Sequence, residues 1–582
     1  MCGIAGYFGS SDLLEGRLEQ CLQLMKRRGP DHAASRRWVT RSGRNLLLLH
    51  SRLSIIDLND RANQPFCVGN RWIATNGELY NYVECKHDLQ ARGCRFRTSS
   101  DTEVLLSGLV QLGPKFLDQC EGMWAFAVYD ESKGTLLLSR DRFGEKPLFI
   151  YRDSTGLFFA SEVKFIVALL GKRLSVNEDH VRRYLINGYK SLYKTSDTFF
   201  KGLEEVSPGT VLEVDCNGNE QAQRYWTFDS SPTESMTREE AVTGARERFI
   251  RSVELRLRAD VPLAFCLSGG IDSNSLVAIA KREFDYDVHG FTIQNTDTRY
   301  EEQAMVDIAV QELGLRHTSV PVQTEEFLPR LRHLVCQHDA PVFTINYFAH
   351  WLLMQKIHEA GYQISVSGTG ADELFSGYYD HHLAYLFDVR SDHELYESSK
   401  TAWERHILPI VRNPLLRDPD VFIRNPEMRD HIFFNADGFS QCLLTPWAEA
   451  FSETRYTDEL LRNRMLNELF HEAVPVILHE DDHNAMFFSI ENRSPFLDRQ
   501  LFDFCSTIPT RHLMKNGYTK SILRDAMRGL VPDAILNNRK KTGFNAPILA
   551  FLDVDDPSVR SVLLETSPIF DYVKREEIER RL

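Results

Sequence analysis

The sequence predicts two folded halves of different class: an α+β half, then an α/β half on a doubly wound parallel sheet that ends in a mostly helical part. Three observations predict this. The chain has 582 residues, past the size at which one hydrophobic core stops growing. Between Ile4 and Ala160, short strand-like runs are separated by polar turns. From Leu263 onward strand-like and helical runs alternate, the pattern of parallel strands joined by crossover helices.

In the first half the expected strands are Ile4 to Phe8, Leu46 to Leu49, Trp72 to Thr75, Ala125 to Tyr129, Leu136 to Ser139 and Leu157 to Ala160. Leu13 to Lys26 and Thr102 to Leu112 carry apolar residues on one helical face. The half is expected to end near Gly209 to Arg224. Asp229 to Thr237 is rich in Ser, Pro and Thr and reads as the boundary, with a helix starting near Arg238. Beyond it the expected strands are Leu263 to Leu267, Val288 to Ile293, His317 to Val320 and Gln363 to Val366, with helices around Ser275, Gln303, Phe327 and His350.

Composition narrows the function. A net charge of −14 argues against nucleic acid, whose binding relies on Lys and Arg displacing counterions. No apolar run approaches the roughly 20 residues that cross a bilayer, so no membrane partner is expected. Eleven cysteines without a C-x-x-C pair indicate neither a disulfide framework nor a zinc ribbon, and the N-terminus lacks the pattern of a signal peptide. A cytoplasmic protein acting on small molecules is expected, and a homodimer is admitted.

Two stretches carry the chemistry of the second half. Ser268-Gly269-Gly270-Ile271-Asp272-Ser273 joins an apolar strand to a helix. Its glycines let backbone N–H groups approach an anion, and its serines add donors. Asp272 beside phosphate calls for a hard divalent cation such as Mg²⁺. Ser367-Gly368-Thr369-Gly370-Ala371-Asp372 follows another strand and supplies a second carboxylate, so Asp272 and Asp372 could share the ion; alternatively Asp372 is only a first-turn helix charge. The first loop is neither a Walker A loop nor G-x-G-x-x-G. A basic loop, Arg539-Lys540-Lys541, could neutralise charge near a triphosphate, or simply be solvated.

In the first half, Cys2 would carry both a thiol and an α-amine once Met1 is removed, a nucleophile and its base on one residue. A buried first-strand cysteine is the alternative. Loops around Arg28 to Asp31, His50 to Leu53, Asn76 to Asn81 and Ser99 to Glu103 are dense in functional side chains, although Asn76-Gly77 also reads as a turn, Asp101 as a helix cap and Arg52 as a surface charge. Ser139 to Leu148, with alternating charges, is assigned an architectural role.

Taken together, these blocks resemble the glutaminase domain of the class II glutamine amidotransferases, an Ntn-hydrolase sandwich. The resemblance implies that Cys2 attacks the glutamine amide, that Asn76 and Gly77 form the oxyanion hole, that Arg52 grips the α-carboxylate, and that Glu78 and Asp101 receive the α-ammonium. The whole chain resembles the glutamine-hydrolysing asparagine synthetases. That implies a glutaminase domain over 2–225 and an ATP-pyrophosphatase domain over 238–582. Leu267, Ser268, Gly269, Gly270, Asp272, Ser273, Ile293, Ser367 and Gly368 would then bind ATP and pyrophosphate, Asp272 and Asp372 the Mg²⁺, and Lys541 would stabilise charge in adenylation. Thr369 departs from the family, which usually has an acid there associated with the acceptor, and so puts aspartate as the acceptor in doubt. The implied reaction is amidation of a carboxylate with glutamine-derived ammonia, aspartate first. A uronic acid of a surface polysaccharide is the alternative acceptor, and a non-catalytic glutamine- or nucleotide-binding regulatory subunit the alternative from another class.

Overall fold

A computed structural model describes residues 2–294, 302–322, 325–433, 436–540, 548 and 551–582. Its first half is a four-layer sandwich. One antiparallel sheet has the strand order Leu203–Glu205, Phe149–Asp153, Gly156–Ala160, Gly3–Gly9, Asn45–Arg52, His32–Val39. The other, also antiparallel, runs Glu220–Arg224, Thr210–Val214, Thr135–Arg140, Gly122–Asp130, Arg71–Leu79, Phe66–Val68. Ile4, Phe8, Leu46 and Leu48 of the first sheet meet Ala74, Ala125, Ala127 and Leu138 of the second in one buried cluster.

The outer faces are covered by helices. Leu18, Cys21 and Met25 of helix Glu15–Met25 pack with Phe165, Ile166 and Leu169 of helix Val163–Leu170 over the first sheet. Leu105, Leu106 and Leu109 of helix Asp101–Leu112 cover the second. Gly3–Gly9 is central in its sheet and buried along its whole length, which is why it reads as a continuous apolar run rather than an alternation.

The second half holds a five-stranded parallel sheet ordered Arg316–Pro321, His289–Gln294, Leu263–Cys266, Ile364–Val366, Glu491–Arg493. Helix Arg238–Arg256 enters it through a capping box in which Thr237 and Glu240 satisfy each other's backbone N–H. The expected strands and helices are present here, within a residue or two of their expected bounds. The edge strand Glu491–Arg493 is not among the expected ones. Its three residues are polar, and they are buried because Glu491 and Arg493 pair at 2.7 Å while Asn492 meets Ser365 Oγ at 3.0 Å.

The two halves share a core. Leu53, Ile55, Ile56, Phe143 and Trp226 lie in the same buried cluster as Phe249, Phe265 and Phe502. The stretch Ser139 to Leu148 is part of this join. Asp141, fully enclosed, accepts hydrogen bonds from the backbone N–H groups of Trp124, Phe143, Glu145 and Lys146 at 2.9–3.2 Å, so its charge holds a turn together.

Candidate active site

Cys2 lies at the start of the central strand Gly3–Gly9 and is 7% exposed. Its N–H donates to Asn76 Oδ1 at 3.1 Å, and its thiol faces the Leu53 carbonyl at 4.0 Å. Burial pushes the thiol above its ordinary pKa, opposed by the terminal amine, the hydrogen bond to the Leu53 carbonyl and, least, the Arg52 charge. Asn76 is fully enclosed, and its Nδ2 has no hydrogen-bond partner among the described residues. An enclosed amide donor without a partner costs free energy unless a ligand supplies the acceptor.

The turn reading of Asn76-Gly77 does not hold: both residues lie inside the strand Arg71–Leu79. Glycine is required at 77 because a Cβ there would sit 2.1 Å from the carbonyl oxygen of Met123 on the paired strand. Nor does Asp101 cap its helix. Ser100 occupies the cap position, accepting from the Thr102 N–H at 3.2 Å; Asp101 Oδ1 shares that N–H at 2.8 Å, and its Oδ2 accepts from the Leu79 N–H at 2.9 Å.

Arg52 is buried rather than a surface charge. Its fork holds the carbonyls of Asn59, Ile56 and Asp57 and the Asn63 side chain, with no carboxylate partner among the described residues. Glu78 and Asp101 are buried acids, both pushed up by desolvation. Asp101 and Glu491 push Glu78 further, and its Oε2 has no partner among the described residues. Two enclosed acids held above their ordinary range form a receptor for a cation, and an uncompensated arginine nearby suits a carboxylate.

The second site lies at the carboxyl ends of adjacent parallel strands. Ser268 Oγ and Ser273 Oγ are 3.0 Å apart, and the Gly270 N–H donates to Ser268 Oγ at 3.2 Å. The Gly269 N–H already holds an anion, the Glu302 carboxylate, at 3.1 Å. Asn274 Nδ2 braces the loop through the carbonyls of Ser268 and Gly270. Leu267 is buried, its carbonyl accepting from Thr292 Oγ1 at 2.8 Å, and Ile293 is a partly buried strand residue one position further along. The second loop touches the first, since a Cβ on Gly368 would lie 3.0 Å from the Asp272 Cβ.

Asp272 and Asp372 converge on one cation, the ammonium of Lys520, at 2.6 Å and 2.7 Å. Two carboxylates drawn onto a single positive charge, beside serine hydroxyls and backbone N–H groups, form the all-oxygen donor set that suits Mg²⁺ with phosphate. Sequence reasoning passed over Lys520. It sits in a polar turn just before helix Ser521–Ala526, with a left-handed backbone at φ +52°, and nothing in its local pattern separates it from a solvated lysine. Lys541 lies outside the described residues.

Arg28 is the other residue whose role the sequence did not reveal. Fully enclosed, it donates from Nε to the Cys2 carbonyl at 3.0 Å and from its fork to Asp482 at 2.7 and 3.2 Å, so it spans from the first site to helix Val474–Phe487 of the second half.

Family models match both halves of the chain. A model described as a glutamine amidotransferase domain matches residues 1–226, and one described as asparagine synthase matches residues 244–580. The chain is 28% identical over 590 residues to asparagine synthetase [glutamine-hydrolyzing] 1 of Bacillus subtilis, covering 97% of this chain and 90% of that one. It is 28% identical over 566 residues to asparagine synthetase [glutamine-hydrolyzing] 3 of the same organism, covering 93% and 86%. It is 27% identical over 603 residues to amidase chry2 of Gibberella zeae, covering 93% and 88%. No described helix is long and apolar enough to cross a membrane. The chain belongs to the asparagine synthase family and is a glutamine amidotransferase of that type, a carbon–nitrogen ligase.

Proposed function

We propose that this chain hydrolyses glutamine at Cys2 in a glutaminase half, 2–225, and uses the ammonia in a synthetase half, 238–582, to amidate a carboxylate adenylated by ATP. The observation that carries the reading is the convergence of Asp272 and Asp372 on one cation at the mouths of two small-residue loops. Asp272 and Asp372 would hold Mg²⁺, and the ion would neutralise the pyrophosphate leaving group. Ser268, Gly269, Gly270 and Ser273 cradle the phosphates, while Ser367 and Gly368 lie by the adenylate.

At the other site the thiol of Cys2 attacks the glutamine amide carbonyl. Asn76 Nδ2 and the Gly77 N–H receive the oxyanion, Arg52 the α-carboxylate, and Glu78 with Asp101 the α-ammonium. With Met1 removed, the Cys2 amine takes the thiol proton.

Aspartate is the first acceptor. A second reading, amidation of another carboxylate such as a uronic acid, is favoured by the neutral side chain at Thr369 and by an amidase-named relative. The test is pyrophosphate release across a panel of carboxylic acids with ATP and ammonium, with the amide identified by label. Asparagine from aspartate supports the first reading, and an amide only from another acid the second. Silence with every acid sinks both and leaves a binding subunit. Cys2→Ala should abolish glutamate release and keep amidation driven by free ammonia.

A further inference from the structure

The second small-residue loop has a carboxylate aimed at it that the reaction as described leaves unused. Asp481, on helix Val474–Phe487, is 6% exposed. Its Oδ2 accepts from Thr369 Oγ1 at 3.3 Å and from Asn492 Nδ2 at 3.5 Å, and its Oδ1 lies 3.6 Å from His350 Nδ1. Thr369 Oγ1 is also 3.1 Å from Ser367 Oγ. No Lys or Arg pairs with Asp481 among the described residues; Lys146 and Asp482 act on it only at longer range.

Thr369 stands between the residue that touches Asp272, Gly368, and the second metal carboxylate, Asp372. Its hydroxyl is therefore beside the place where an adenylated carboxyl group would be held. A hydroxyl can accept one proton while giving up another, and one already bonded to a buried carboxylate is polarised to do so.

We propose that Thr369 and Asp481 form a proton relay for the amination step, a role that rests on the amidotransferase reading above. Ammonia's lone pair forms the new C–N bond at the acyl carbon of the adenylate. The nitrogen of the adduct gives a proton to Thr369 Oγ1, whose own proton passes to Asp481 Oδ2. The adduct collapses, the C–O bond to phosphate breaks, and AMP leaves with the electron pair. One amide, one AMP and one proton result, the proton leaving Asp481 for solvent. His350 and Asn492 fix the carboxylate as positioning residues. Desolvation raises the basicity of Asp481 and so supports the role.

The test uses the full chain with ATP, Mg²⁺ and ammonium chloride, with aspartate and glucuronate as parallel acceptors, and measures amide formed per pyrophosphate released. The unmutated protein should give a ratio near unity. In Thr369→Val and Asp481→Asn the ratio should fall by about a hundredfold, the size of an acid–base contribution, as the acyl-adenylate is lost to water. Thr369→Ser, which keeps the hydroxyl, should restore it. So should hydroxylamine in place of ammonia, because the nitrogen of its adduct sheds a proton more readily. An unchanged ratio in Thr369→Val and Asp481→Asn overturns the relay, as does a Thr369→Ser variant no better than valine. If the unmutated protein releases no pyrophosphate with either acid or with any of the wider panel, the amidotransferase reading falls and takes the relay with it.

Discussion

Replacing Asn76 by alanine tests the proposed oxyanion hole apart from the rest of the proposed glutaminase site. Asn76 is fully enclosed, its Oδ1 holds the Cys2 N–H at 3.1 Å, and its Nδ2 has no partner among the described residues. Alanine removes the unpaired donor, which matters when the thiolate adduct develops its negative oxygen. One such donor contributes about 2.7–4 kcal/mol in a water-excluded site, or roughly 10²–10³ in rate. Alanine also takes the acceptor from the Cys2 N–H, at about 1 kcal/mol. The second loss bears on substrate-free and transition states alike and so adds little to the change in kcat. Glutamate release from glutamine should therefore show kcat down by roughly two to three orders of magnitude with KM shifted only a few-fold. Amide formation from free ammonia should be unaffected. A fall in kcat smaller than about fivefold would falsify the assignment, since no donor aimed at an oxyanion in so enclosed a place is that weak.

Other outcomes follow from the same geometry. Gly77→Ala places a methyl 2.1 Å from the Met123 carbonyl, so the strand must part locally; glutaminase activity should drop at least tenfold while ammonia-driven synthesis persists, and an alanine variant with full activity would refute the close approach. Lys520→Met leaves Asp272 and Asp372 facing each other without the ammonium between them. Part of their charge is screened by solvent, so the cost is about 1–3 kcal/mol, and Mg²⁺ should raise the melting temperature of the variant more than that of the unmutated chain; equal shifts would count against a shared ion site.

Asp388 gives a pH signature. Burial pushes its carboxyl up to about 7, against the hydrogen bonds it accepts from the N–H groups of Leu460 and Leu461. The folded chain thus holds a proton that the unfolded chain, titrating near 3.9, has lost. The stability this group contributes is fully present below about pH 4 and is lost as pH rises through 7. Relative to Asp388→Asn, the melting temperature of the unmutated protein should fall between pH 5 and pH 8. Parallel profiles would show that Asp388 is ionised throughout.

Much of this could be read from local pattern. The apolar run before Ser268 and the helix after it needed only periodicity, and the small residues between them marked the loop that joins the two. Arg71–Leu79 was placed as a strand by its apolar half, but Asn76-Gly77 looked like a turn. The reason for that glycine is a carbonyl on a strand some forty-six positions away, Met123, which no local window contains. Glu491–Arg493 failed in a related way: its two charges pair with each other, but the strand it joins and the Ser365 hydroxyl on its amide lie 127 positions away. Lys520 and Asp481 were invisible for the opposite reason. Each is an ordinary charged residue in its own neighbourhood, and only the packing of elements 248 and 112 positions apart gives them Asp272 and Thr369 as neighbours.

Arg28 has a bearing on how this protein could be taken apart. The guanidinium that steadies the Cys2 carbonyl is neutralised by Asp482 as well as by Glu162. A first half expressed alone would keep a cation beside Cys2 with half its counter-charge gone, and a second half alone would keep Asp482 with both Arg28 and Lys146 removed. Exchanging halves between relatives should therefore succeed when Arg28 and Asp482 travel as a matched pair, and a graft that inherits one without the other inherits an unpaired buried charge at the seam.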